Sequence, residues 1–81
     1  MNVRVKLFAL TQDLAGTDEV SLELAAPVTI AAIRTSLAEA VPALRPILSS
    51  CAFAVDNEYA TNATEITGPA EIACLPPVSG G

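Results

Sequence analysis

Residues 3–9 read Val-Arg-Val-Lys-Leu-Phe-Ala, and Val3, Val5 and Leu7 alternate with Arg4 and Lys6. That period of two predicts a half-buried strand. Phe8 continues the outward parity, and an outward Phe at a strand end is a candidate interface residue. Residues 10–18 are polar and turn-forming, with Gly16 available for positive φ. Val20, Leu22 and Leu24 alternate with Ser21 and Glu23, which predicts a second strand paired to the first as a hairpin. Pro27-Val28-Thr29 then opens a helix. Thr29 is its expected N-cap, although Ala32 leaves no capping box.

Ile30, Ile33, Leu37 and Val41 recur at helical spacing, while Arg34, Ser36 and Glu39 lie off that stripe. An amphipathic helix of about three turns follows, stopped by Pro42. Pro42 to Ser50 reads as a connection with a helical turn that carries Leu44, Ile47 and Leu48 inward. Residues 52–56 form an expected third strand with Phe53 and Val55 on one face. Asn57-Glu58 is then a turn, and Tyr59-Ala60 begins a short fourth strand. Thr67-Gly68-Pro69 is a further turn. Residues 70–76 form the last strand, with Ile72 and Cys74 on one parity and Glu71, Ala73 and Leu75 on the other. The order β-β-α-β-β-β predicts an α+β fold, a mixed sheet with one main helix.

At 81 residues this is one small domain, and 52% hydrophobic against 16% charged residues excludes a disordered chain. No stretch offers the roughly 18 clean apolar residues of a spanning helix, so no membrane partner is expected. No basic segment followed by an apolar core and a cleavage site stands at the start, and the expected location is cytoplasmic. Arg4, Lys6, Arg34 and Arg45 stand against nine acidic residues, a net charge of −5. That is too few cations for nucleic-acid binding. The acidity suits solubility or attraction to a basic partner surface.

The chain lacks His and Trp and has two cysteines with no C-x-x-C. A Ser-His triad, an imidazole base and a zinc or iron–sulfur site are therefore not expected, and neither is catalysis by the chain alone. Cys74, on the inward parity, reads as a buried small hydrophobe. Cys51, at a strand start, is a candidate for exposure, with Arg45 the cation nearest in sequence. A disulfide between them is disfavoured by the expected compartment.

The last residues are Pro76-Pro77-Val78-Ser79-Gly80-Gly81. The prolines cannot donate to a ladder, so the sheet must end there, and they stiffen the exit. Fully extended, six residues span roughly 20 Å. Gly80 and Gly81 lack β-carbons, so this backbone can pass a narrow channel into another active site. A terminal carboxylate, with a pKa of about 3.5, is ionised at neutral pH and needs activation before it can react.

Residues 70–81, ending Pro-Pro-Val-Ser-Gly-Gly, resemble the C-terminus of the molybdopterin synthase small-subunit family. Val5-Lys6-Leu7-Phe8-Ala9, Leu14-Ala15-Gly16-Thr17-Asp18 and Ala54-Val55-Asp56-Asn57-Glu58-Tyr59 resemble its other segments. The family often has Arg where this chain has Gln12, and Gly-Asp-Glu where it reads Gly68-Pro69-Ala70-Glu71.

The resemblance implies a β-grasp, ubiquitin-like domain over 1–76 and a flexible Gly-Gly tail over 77–81. It implies a sulfur carrier with no bound cofactor. Gly81 would be adenylated by an E1-like adenylyltransferase using ATP, then converted to a thiocarboxylate by a sulfur donor protein. The tail would enter the large subunit, in an expected heterotetramer, and pass sulfur to cyclic pyranopterin monophosphate for molybdenum cofactor biosynthesis. Gly80 would let the tail thread. Phe8, Gln12, Leu75, Pro76, Pro77, Val78 and Ser79 would contact partners. The alternatives are a carrier serving another acceptor (thiazole or an amino acid), a protein modifier conjugated through Gly81, and an interaction domain with an inert tail.

Overall fold

The computed structural model describes residues 1–77. Strand β1 (Asn2–Leu7) leads into helix α1 (Leu10–Ala15), followed by β2 (Glu19–Glu23) and β3 (Val28–Thr29). Helix α2 (Ile30–Ala40), a 3-10 turn (Pro42–Leu44) and α3 (Arg45–Leu48) come next. The chain closes with β4 (Ala52–Val55), β5 (Glu58–Ala60), β6 (Glu65–Ile66) and β7 (Ile72–Leu75). Five strands form one sheet in the order β2-β1-β7-β4-β5, and β3 pairs with β6 in a second, two-stranded sheet. Only β1 and β7 run parallel in the main sheet, so the sheet is mixed as expected.

The alternation in β1 does what its pattern demands. Val3, Val5 and Leu7 are buried, while Asn2, Arg4 and Lys6 are exposed. Helix α2 lays Ile30, Ile33 and Leu37 on the inner sheet face, and all three are fully buried beside Phe53, Ile72 and Cys74. Removing that much apolar side chain from water is the main stabilising contribution to so small a domain. Thr29 caps α2, its Oγ1 accepting the Ala32 N–H at 3.1 Å. Leu44 and Leu48 point inward and are buried; Ile47 is half-buried.

Several local expectations are corrected. The stretch read as a turn after β1 contains helix α1. Its one buried residue is Thr11, so no apolar stripe marks it in sequence. Gly16 ends it at φ 74, its N–H bonded to the Gln12 carbonyl. The β4–β5 turn lies at Asp56-Asn57, one residue earlier than expected. Both residues have positive φ (49° and 70°), which the tightest hairpin turns require and which Asp and Asn tolerate. The small β3–β6 sheet was not foreseen, because strands of two residues carry no period. The last strand runs from Ile72 to Leu75 rather than from Ala70 to Pro76, since a proline has no N–H to give the ladder.

Candidate functional site

Parallel pairing of β1 with β7 sets Leu7 opposite Cys74. Phe8 and Leu75 therefore leave the two central strands side by side, at the end where the chain continues into Pro76 and Pro77. Antiparallel pairing of β7 with β4 sets Ala52 opposite Leu75 and Ala54 opposite Ala73. Pairing of β4 with β5 adds Tyr59 opposite Ala54. Strand alternation places these residues on the outer sheet face, away from α2. Phe8 is 42% exposed and Tyr59 is 81% exposed, with small alanines between them. Leu75 and Pro76 are half-buried and Pro77 is exposed.

The outer face thus has two halves. The half near the tail is apolar: Phe8, Leu75, Ala73, Ala52 and Tyr59. The other half is charged, with Arg4 paired to Glu19 at 3.8 Å and Lys6 to Glu71 at 3.6 Å. Exposed pairs of this kind add little stability, typically about 0–1 kcal/mol. They do keep that half hydrated. An apolar patch with a polar margin, beside the prolines at which the chain leaves the sheet, is suited to holding a partner surface.

Gln12, exposed on α1, lines an open pocket of about 320 Å³ with Phe8, Lys6, Asp18 and Glu19. The structure thus brings Phe8, Gln12, Leu75, Pro76 and Pro77 to one end of the domain. Val78, Ser79, Gly80 and Gly81 lie outside the described residues. Tyr59 is the residue that sequence reasoning missed. Its signal was a lone aromatic two residues past a turn, but its face depended on the β4–β5 register.

Both cysteines are free and buried, which corrects the candidate exposure of Cys51. The connection from α3 tucks residue 51 under the sheet end before β4 begins. Cys51 belongs to the same buried core cluster as Cys74. The cation beside them is Arg34, not Arg45, which donates instead to the Ala38 carbonyl at 3.1 Å. Burial pushes the Cys51 thiol up, and burial together with Cys51 pushes the Cys74 thiol up to about 12. Protonated, enclosed thiols are poor nucleophiles, so sulfur handling does not point to them. Among the described residues, no group of three or more His, Cys, Asp or Glu could hold a metal ion.

The raised thiol predicts an alkaline weakness. The folded state keeps the Cys74 proton above the ordinary thiol value of 9.0, whereas the unfolded chain releases it there. The stability from neutral Cys74 is therefore complete below about pH 9 and is lost as pH climbs toward 12. Melting temperatures taken from about pH 8 to about pH 11 should fall, and Cys74→Ala should flatten that fall. Parallel curves for the two proteins would remove Cys74 as the cause.

Residues 5–81 match the model of the ThiS family. The chain is 30% identical to a molybdopterin synthase sulfur carrier subunit from Chlamydomonas reinhardtii, over all of both chains. It is 35% identical to one from Caenorhabditis briggsae, covering all of this chain and 99% of that one. Among solved structures it resembles SAMP1 of Haloferax volcanii at 27% identity, with a TM-score of 0.86 and full coverage of both. SAMP1 denotes a small archaeal modifier protein.

Proposed function

The chain belongs to the ThiS family, and from that premise we propose that it is the sulfur carrier subunit of a molybdopterin synthase. It contributes no catalysis of its own and works through Gly81. An E1-like adenylyltransferase joins the Gly81 carboxylate to AMP from ATP, releasing pyrophosphate. Sulfide equivalents from a sulfur donor protein then displace AMP and leave a thiocarboxylate. Residues 77–81 serve as the arm and residues 1–76 as the body that docks. The large subunit, in a heterotetramer, takes the arm, with Gly80 narrow enough to thread. Sulfur passes there to cyclic pyranopterin monophosphate. All of this chemistry is assigned to the cytoplasm.

The observation that carries this reading is full-length similarity to sulfur carrier subunits, in a chain that has no histidine and whose two cysteines are buried. The apolar face at the arm's root supports it. The test is intact mass after incubation with an E1-like enzyme, ATP and sulfide. Exchange of one terminal oxygen for sulfur on the C-terminal peptide is expected. Release of that sulfur on adding the large subunit and the pterin precursor completes it.

A second reading, a protein modifier joined through Gly81, is favoured by the likeness to SAMP1. It predicts an isopeptide bond to a lysine of another protein. Lys6 is the chain's only lysine, so self-linked chains could form only there. Peptide mapping of cell conjugates separates the two readings.

Two outcomes follow for the carrier. Phe8→Ala and Tyr59→Ala should each weaken large-subunit binding by about 1–3 kcal/mol while melting stays near wild type, since both side chains are exposed. A titration with unchanged affinity would take that residue off the docking face. Replacing Cys51 and Cys74 together by Ala should leave loading intact. Its loss in a folded variant would move the sulfur to a thiol.

A further inference from the structure

Thr11 is a fully buried polar residue in a helix whose remaining residues are partly or largely exposed. Its hydroxyl is placed where two backbone segments meet. Oγ1 accepts the Phe8 N–H at 2.9 Å and donates to the Phe8 carbonyl at 2.7 Å. The Cys74 carbonyl lies 3.4 Å from the same oxygen, a longer second acceptor for its one proton. The Thr11 N–H also bonds the Phe8 carbonyl, at 3.1 Å. Residues 8–11 thus form a tight turn, with Ala9 at φ 50 and ψ −120. Glycine normally takes that position, and a residue with a β-carbon stays there only when its surroundings hold it.

The consequence is mechanical. Phe8 has an exposed ring on a backbone clamped at both its N–H and its C=O. The same hydroxyl touches the carbonyl of Cys74, the last residue before Leu75 and the arm. We propose that Thr11 is a positioning residue for docking, holding the Phe8 ring and the root of the arm in one rigid unit. This rests on the carrier reading above. A partner that grips Phe8 then receives the arm at a fixed offset, and little ordering is left to be done on binding.

The test uses the full chain with Thr11→Val, which keeps the shape and removes the hydroxyl, and Thr11→Ser, which keeps the hydroxyl. Thr11→Val should bind the large subunit about tenfold more weakly, with the single-turnover sulfur-transfer rate at saturation within about twofold of wild type. Thr11→Ser should restore wild-type affinity. In a Phe8→Ala background, Thr11→Val should add nothing further. Wild-type affinity in Thr11→Val, failure of Thr11→Ser to rescue, or additive losses in the double variant would each overturn the assignment. Should Thr11→Val not fold, hydrogen exchange of the wild-type Phe8 amide decides the matter: slow exchange is expected, and exchange at the rate of an open loop overturns it. A wild-type chain that never accepts sulfur strikes the carrier reading alone, because the exchange and affinity measurements need no sulfur.

Discussion

Deleting Gly81 should abolish sulfur delivery by the proposed carrier and leave the domain as stable as before. The reacting group of the proposed carrier is the terminal carboxylate, so deletion moves that group back along the arm by one residue, about 3.3–3.6 Å. Group-transfer sites tolerate far less, since a misplacement of about 1 Å can lose about 100-fold in rate. The same shortening should draw the end back from the proposed activating enzyme, so that neither adenylation nor transfer is expected to proceed. Stability should be untouched because the last buried residue among the described ones is Cys74, seven residues earlier in the chain. The check is intact mass after ATP and sulfide treatment, set beside a thermal melt. Normal sulfur uptake by the shortened chain would end the proposal that the C-terminus is the working group.

The second large effect falls on stability. Replacing Arg34 should lower it by about 3 kcal/mol for Ala and about 2 kcal/mol for Lys. Arg34 projects from α2, off the apolar stripe, and ties the helix to the α3–β4 connection and to the loop after β5. Its Nη1 donates to the carbonyls of Leu48 and Cys51, the latter at 3.0 Å. Its Nε and Nη2 both donate to Asn62 Oδ1, at 3.3 and 3.2 Å. The guanidinium also lies 4.7 Å from the centre of the Phe53 ring. Without it, two carbonyls at the α3–β4 connection lose a charged donor in a partly buried setting, where unmade hydrogen bonds are expensive. Lys cannot replace the fork, because its single nitrogen cannot span Asn62 and the two carbonyls while its stem lies on Phe53. For a domain of this size the Ala variant should melt roughly 15 °C lower. Denaturation of Arg34→Lys within about 0.5 kcal/mol of wild type, the level of an ordinary surface change, would refute the keystone role.

Arg34 also marks the boundary between what was legible in the chain and what was not. As a sequence position it is a polar residue off a helical stripe, which by itself suggests only a solvated face. Its partners come from 14, 17 and 28 residues away. The burial of Cys51 is illegible for the same reason: it depends on how α3 returns to the sheet. Helix α1 was hidden because its six residues bury a threonine instead of a leucine stripe. The docking face was half legible. The parity of Phe8 and Leu75 was readable within their own strands, while Tyr59 joined them only through the pairing of β4 with its neighbours.

By itself, then, the chain determined its local periods: the faces of β1 and β7, the span and cap of α2, the stop at Pro76-Pro77 and a terminal Gly-Gly unlike anything a core requires. Those follow from side-chain chemistry within a few residues, where steric and solvation preferences act directly. The tertiary structure alone decided which strands became neighbours and in what register. It thereby placed Tyr59 on the face of Phe8, Cys51 against Cys74 and the Thr11 hydroxyl between Phe8 and the arm's root. Such pairings are settled by the burial of the whole core at once, and no local pattern encodes them.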